Sequence, residues 1–166
     1  MSETGDQFHI RSATAADIEA MAEIAALAWA PIYANYEVLQ RRLLGEVVFV
    51  RRPEQKADEV RQFCYEHLDQ ALVTEESGRV VGFITYHVDR EGRCGIIGNN
   101  GVHPSWSGKG VGTAQVAHVL SQFRQWGLHW AEVVTGLDDA HAPARRMYEK
   151  AGFVQVLPSV RYMRLL

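Results

Sequence analysis

Two stretches carry the residues best placed to do chemistry. The first runs from Gly98 to Thr113 and reads GNNGVHPSWSGKGVGT. It has the pattern of a strand end, a His-Pro turn, and a glycine-rich loop that opens a helix. Gly108, Gly110 and Gly112 permit positive φ and remove the Cβ atoms that would keep a ligand from backbone N–H groups. At a helix N-terminus, unpaired N–H groups and the positive end of the macrodipole favour a phosphate. The local chemistry is therefore that of an anion cradle; the alternative is a tight connection with no ligand. Two familiar phosphate fingerprints do not fit. The Walker loop ends Gly-Lys-Ser/Thr, whereas Lys109 is followed by Gly110. The dinucleotide fingerprint needs a strand at the start of a βαβ unit and an acidic residue about 20 residues on. Glu132 is near that distance but sits in the middle of the next strand pattern.

The second stretch is His141-Ala142-Pro143-Ala144-Arg145-Arg146-Met147-Tyr148-Glu149-Lys150-Ala151-Gly152-Phe153. Tyr148 carries a phenol of pKa about 10, protonated at neutral pH and able to donate to a developing anion. On the same helical face it could equally be a core tyrosine. His141 is either a ligand contact through a ring nitrogen or an exposed residue at the helix start.

Together these stretches resemble the GNAT superfamily of acyl-CoA-dependent N-acyltransferases. The loop resembles its acyl-CoA-binding motif, Gln/Arg-x-x-Gly-x-Gly/Ala after a strand ending Val-x-Pro, here Val102-His103-Pro104. Ser107 departs from the usual Gln or Arg. The second stretch resembles the signature Asn-x-x-Ala-x-x-x-Tyr-x-Lys-x-Gly-Phe at every marked position but His141, where Asn is usual. The resemblance covers Val80 to Leu166; the N-terminal half matches only in element order. It implies acetyl-CoA as cosubstrate, with Gly101, Val102, His103, Gly108, Lys109, Gly110, Val111, Gly112, Thr113, His141 and Ala144 in contact with it. The pyrophosphate would rest mainly on the loop backbone, and Lys109 would be solvated or meet a phosphate. The resemblance also implies Tyr148 as the acid that protonates the leaving thiolate, and a backbone N–H near Val102 for the oxyanion. Trp29, Tyr33 and Tyr36 fall where the family builds its acceptor wall, although core packing is the plainer reading of each. Asn99 and Asn100 would orient the amine or a water.

The general base is not evident. Many relatives place a carboxylate on the central strand, where this chain has Gly98, Asn99, Asn100 and Gly101. His103 and His87 have suitable intrinsic pKa values. By strand alternation, however, His103 faces away from Asn100 and Val102. The implied reaction is direct transfer of an acetyl group from acetyl-CoA to a primary amine of a small molecule or peptide. A non-catalytic acyl-CoA-binding domain is the alternative, and the missing carboxylate favours it.

The elements that must position these groups follow from periodicity. Phe8–Arg11 reads as a strand. Thr14 and Asp17 open a helix with Ile18, Met21, Ala25 and Ala28 on one face. Pro31 is expected to end or kink it before a second helix through Ile32, Tyr36, Leu39 and Leu43. Residues 45–52 are ambiguous between strand and loop, and a helix from Pro53 to about Leu68 follows. Ala71–Glu75, Val80–Val88 and Cys94–Val102 form an antiparallel meander. Gly98 and Gly101 in its last strand fit a bulge and the splayed strand pair that the resemblance implies. The helix Val111–Trp126 is expected to bury Val116, Ala117, Leu120 and Phe123 and to expose Gln115. Trp130–Thr135 then runs parallel to the preceding strand. A helix over 138–151 and a closing strand pair, Phe153–Leu157 with Val160–Leu165, complete the chain. The fold class is α/β with a mixed sheet: one domain over residues 8–166 after a disordered tail, 1–7.

Composition sets the outer bounds. The chain has 166 residues, 47% hydrophobic and 22% charged, with a formal net charge of −3. There is no broad basic field for nucleic acid. Cys64 and Cys94 suggest neither zinc nor a disulfide framework. No run is long and apolar enough for a membrane span, and Met1–Gln7 lacks the pattern of a signal peptide. A cytoplasmic location with reduced thiols is expected, and a homodimer is compatible with the resemblance.

Overall fold

The computed structural model describes residues 8–166; the expected tail, 1–7, lies outside them. One mixed five-stranded sheet, in the order β1-β2-β3-β4-β5, separates two helical layers. The strands are β1 (His9–Ser12), β2 (Ala71–Glu76), β3 (Arg79–Asp89), β4 (Cys94–Val102) and β5 (Trp130–Val133). β1 to β4 pair antiparallel in sequence, and β5 joins β4 in parallel. The helices are α1 (Ile18–Leu44), α2 (Pro53–His67), α3 (Val111–Gln125) and α4 (Ala142–Lys150).

Strand alternation sorts the core into two faces. Val73 and Phe83 pack with Ile18, Met21, Ala25, Val60 and Cys64, beneath α1 and α2. Leu72, Ile84, Tyr86 and Ile97 pack with Val116, Val119, Phe123 and Tyr148, beneath α3 and α4. The central strands β2 and β3 thus contribute to both layers, as a sheet covered on two sides requires.

Four expectations are corrected. Pro31 does not end a helix: α1 runs through it as one 27-residue element. Pro31 lies on the exposed face of the helix. Buried Met21 and Ala25 before it, and Tyr33 and Gln40 after it, hold the helix together by packing. On α3, Gln115 is fully buried and Val119 packs inward, while Ala117 is exposed. The helix therefore lies rotated relative to the expected face. Residues 153–166 form no strand, and Val154, Val156, Leu157, Val160 and Tyr162 are exposed. An alternating pattern defines a face but supplies no partner edge, and β5 pairs only with β4. Finally, β5 stops at Val133 instead of Thr135.

The ambiguous segment 45–52 is loop, and a buried side chain fixes it. Gln40 Nε2 donates to Phe49 O at 3.0 Å, and its Oε1 accepts from Val48 N and Phe49 N at 3.0 and 3.1 Å. The start of α1 is tied as Thr14 and Asp17 suggested. Thr14 N and Oγ1 both donate to Asp17 Oδ2, at 2.7 and 2.8 Å. Arg11 grips the same carboxylate through two hydrogen bonds, 2.8 and 2.9 Å long.

Candidate active site

The site grows from a fault in the sheet. β5 matches β4 only over Cys94–Ile97, so among the described residues Gly98–Val102 has no paired strand on that side. Opposite β3, the register shifts between Ile84 and Tyr86, leaving Gly98 and Asn99 across from Thr85. This is a β-bulge, and Thr85 pins it: its Oγ1 accepts from Asn99 N at 2.8 Å and from Asn99 Nδ2 at 3.3 Å. Glycine is required at 98, because a Cβ there would sit 2.7 Å from Thr85 Oγ1. At Gly101 a Cβ would meet the Phe83 ring at 2.4 Å. The two glycines bring β4 against β3 while it splays from β5.

Beyond the bulge, alternation decides which backbone groups face the gap. His103 N donates to Val81 O at 2.9 Å, so that residue pair is hydrogen-bonded. Val102 and Asn100 then occupy the non-bonded positions, with their N–H and C=O groups turned away from β3 into the gap. A strand edge with free donors and acceptors recognises an extended amide-bearing chain.

At the end of β4 the glycine-rich loop delivers α3. Gly108 and Gly110 adopt φ of +75° and +89°, which side-chain-bearing residues rarely take. Gly110 is the N-cap, and no side chain caps the helix. The N–H groups of Val111, Gly112 and Thr113 have no intrahelical acceptor. Open space lies over Gly108 and Gly110, where a Cβ would meet nothing within 4 Å. Lys109 is exposed, its Nζ 4.5 Å from the Trp106 ring centroid. The loop presents backbone donors outward, as a diphosphate cradle must.

α4 closes the other wall. A Cβ on Gly112 would come 3.0 Å from Met147 Sδ, so α3 and α4 meet closely at the glycine. Asn100 Nδ2 lies 3.8 Å from the same sulfur, and Asn100 Oδ1 is buried without a partner. Tyr148 is 7% exposed and packs edge-on against Phe153 at 5.7 Å. Burial raises the Tyr148 pKa, and the Asn100 side chain facing it pulls the other way. The net upward direction keeps the phenol protonated at neutral pH. Ala144 is half-buried one turn before Tyr148 and packs beneath the same cluster.

The second half of α1 roofs the gap. Tyr36 stacks on His141, with centroids 6.5 Å apart and planes 30° apart. Tyr33 is buried beside Tyr36 and under Arg51, whose guanidinium carbon is 5.2 Å from the Tyr33 ring centroid. Trp29 turns the other way, into the α1–α2 core, with Lys56 Nζ 4.8 Å from its ring centroid. Asn99 is occupied in pinning the bulge. Of the two histidines considered as bases, His103 Nδ1 accepts from Ser105 N at 3.2 Å and so caps the turn Pro104–Trp106. His87 pairs with Gln70 on the exposed surface.

One group of residues was not visible as a unit in the sequence. Asp138 caps the 3-10 turn Asp139–His141 that leads into α4. Its Oδ2 lies 2.7 Å from His141 Nδ1, and its Oδ1 accepts from Asn35 Nδ2 at 3.1 Å and from Ala140 N at 3.0 Å. Burial works to raise the Asp138 pKa, but the hydrogen bonds from His141 and Ala140 and the nearness of the imidazole outweigh it and hold the carboxylate below its ordinary range. The only local signal was an aspartate three residues before His141, which also reads as an ordinary helix cap.

Residues 21–153 match the family described as Acetyltransferase (GNAT) family. Among curated proteins, a mycothiol acetyltransferase of Thermobispora bispora is 35% identical over 98 residues, 56% of this chain and 32% of that protein. One from Propionibacterium freudenreichii is 31% identical over 128 residues, 72% of this chain and 40% of that protein. The chain thus spans well under half the length of these relatives. Among solved structures, a GNAT family acetyltransferase from Brucella melitensis in complex with acetyl-CoA superposes with a TM-score of 0.62 at 20% identity, covering 90% of this chain and 84% of the other. An N-acetyltransferase from Thermoplasma acidophilum in complex with coenzyme A gives 0.63 at 16% identity, covering 88% and 89%. The splayed strands, the uncapped glycine loop and the family match agree: the chain belongs to the GNAT acetyltransferase family, whose cosubstrate is acetyl-CoA.

Proposed function

We propose that this protein binds acetyl-CoA in the gap beside Gly98–Val102 and transfers the acetyl group directly to a primary amine. The observation that carries this reading is the uncapped N-terminus of α3, open above Gly108 and Gly110 and continuous with the free edge of β4. The N–H groups of Val111, Gly112 and Thr113 take the pyrophosphate, with Lys109 adding charge at the rim. The backbone of Asn100 to Val102, with His103 completing the turn, pairs with the extended arm. Bound acetyl-CoA supplies an activated thioester; the protein supplies position and protons. The Val102 N–H, turned into the gap, is placed for a developing oxyanion. Tyr148, buried and protonated, is the acid for the leaving sulfur. Asn100, set between Met147 and Tyr148, orients the amine or a water. His141 and Ala144 line the same end of α4, and Tyr36 with Tyr33 behind it forms the acceptor wall; Trp29 supports that wall from the core.

The first acceptors to test are small molecules, because the curated relatives are named for mycothiol; peptide N-termini follow. Thermal unfolding with acetyl-CoA, and with CoA and AMP as controls, tests the binding half. A ligand at 100 times its Kd that binds only the folded state stabilises by about 2.7 kcal/mol. In a domain of this size that raises Tm by roughly 5–10 °C. CoA release across a panel of primary amines tests the transfer half. No shift with acetyl-CoA would sink the cradle. A shift without turnover of any amine would leave an acyl-CoA-binding domain, the reading that a β4 without a carboxylate favours.

A further inference from the structure

The family motif that His141 occupies ordinarily holds Asn, and β4 carries no carboxylate. From the geometry around His141 we infer that its Nε2 is the proton acceptor that frees the attacking amine. This deepens the acetyl-transfer reading and rests on it.

The argument begins with Asp138. Its carboxylate is ionised at neutral pH, and three donors hold it: His141 Nδ1, Asn35 Nδ2 and Ala140 N. An ionised carboxylate only accepts, so the 2.7 Å contact requires the proton on His141 Nδ1. In the neutral ring the lone pair is then on Nε2. That nitrogen makes no hydrogen bond among the described residues and is not sealed from solvent. The ring cannot turn freely. Tyr36 stacks on one face, and Gly136 backs it so closely that a Cβ there would lie 2.5 Å from Nδ1. A fixed tautomer, a fixed plane and an open Nε2 are what a general base needs.

Position supports the same role. Asn35 and Tyr36 belong to α1, and Asp138 and His141 lead into α4, so the imidazole stands where the roof of the gap meets the helix bearing Tyr148. Asp138 faces it from its own turn, and Arg145 on α4 is held on the carbonyls of Gly136 and Asp138 at 2.6 and 2.7 Å. From α1 the Tyr36 phenol ring faces it. The proton balance is simple. An ammonium R–NH3+ gives one proton to Nε2, leaving R–NH2 and an imidazolium paired with Asp138. The amine lone pair forms the C–N bond as the C–S bond breaks. A second amine proton ends on the sulfur, and the imidazolium returns the first proton to solvent.

The test uses the full chain with ethylamine and trifluoroethylamine as acceptor probes, the latter largely unprotonated at neutral pH. His141→Gln is expected to lower kcat/KM for ethylamine at pH 7 about 100-fold or more. The acid limb for ethylamine should move to higher pH, toward the amine's own ionisation, the acetyl-CoA Kd should stay unchanged, and trifluoroethylamine should retain most of its rate. Asp138→Asn should reduce the ethylamine rate and shift the ring away from the Nδ1–H tautomer, which 15N spectra of the assigned histidine read without any acceptor. An Nε2–H tautomer in the native protein would overturn the inference. So would displacement of the His141 signals by 3′,5′-ADP alone, which would assign the ring to the nucleotide. An unchanged ethylamine profile in His141→Gln would overturn it while leaving acetyl transfer intact. If acetyl-CoA moves none of the Gly110–Thr113 amide signals, the underlying reading fails instead.

Discussion

Gly110→Ala separates the backbone geometry of the cradle from its binding role. Gly110 holds φ +89° at the N-cap of α3, with nothing within 4 Å of where a Cβ would stand. In the free protein the added methyl therefore costs only left-handed strain, roughly 1–2 kcal/mol. For a domain of this size that lowers Tm by about 2–8 °C. With ligand present, the methyl occupies the space through which an anion would reach the N–H groups of Val111 to Thr113. Loss of one charge-assisted hydrogen bond is worth about 1.5–3 kcal/mol, a weakening of roughly 10- to 150-fold. Gly127→Ala is the matched control. It has φ +70°, equally open surroundings, and a place after the other end of α3. Calorimetric titration of acetyl-CoA into both variants, beside thermal unfolding of each, gives the comparison. Similar Tm losses are expected in the two, with affinity lost only in Gly110→Ala. Equal, native-like affinity in both would refute the cradle argument, however well the strain prediction fared.

Tyr148→Phe should lower kcat about 100-fold or more and leave the acetyl-CoA Kd unchanged; full turnover would remove Tyr148 as the acid. Gln115 is fully buried and both of its side-chain polar atoms lack partners. Gln115→Leu should therefore stabilise the protein by about 1–2 kcal/mol, read as a higher Tm. Asp17→Asn should cost roughly 2–3 kcal/mol at pH 7, because it breaks the paired hydrogen bonds from Arg11. The hydrogen bond from Arg11, with smaller help from Thr14 and against the cost of burial, holds the Asp17 pKa well below the carboxylate range. Its stabilisation is thus present above the unfolded value of about 3.9 and is lost as pH falls through the folded value. Urea titrations should show the gap between native and variant closing at acid pH. A gap constant between pH 7 and pH 3 would contradict this.

What the sequence determined by itself is what depends on neighbours along the chain. Gly108 and Gly110 set the loop, Pro104 the turn before it, and the period change near Ala71 the switch from helix to meander. Tyr148 lies on the buried face of α4 because its spacing from Ala144 and Ala151 follows the helical repeat. The bulge was expected at two glycines. Its location opposite Thr85, however, depends on strand pairing that no local pattern expresses.

The tertiary structure decided what depends on distant partners. Pro31 is tolerated in α1 because packing on both sides of it and solvent beside it offset one missing hydrogen bond. Gln115 is inside because α3 lies directly on β3 at Gly82, where a Cβ would lie 2.8 Å from Val111 Cγ1 and 3.0 Å from Gln115 Oε1. The alternating residues after Gly152 remain unpaired, since alternation orients side chains and cannot supply an edge. Most consequential, Asn35 meets Asp138 across 103 positions of sequence. That contact fixes the carboxylate, the carboxylate fixes the tautomer of His141, and the tautomer decides which ring nitrogen can take a proton. Periodicity and turn chemistry are short-ranged, so they wrote the cradle into the sequence. The orientation of one imidazole needed the whole fold.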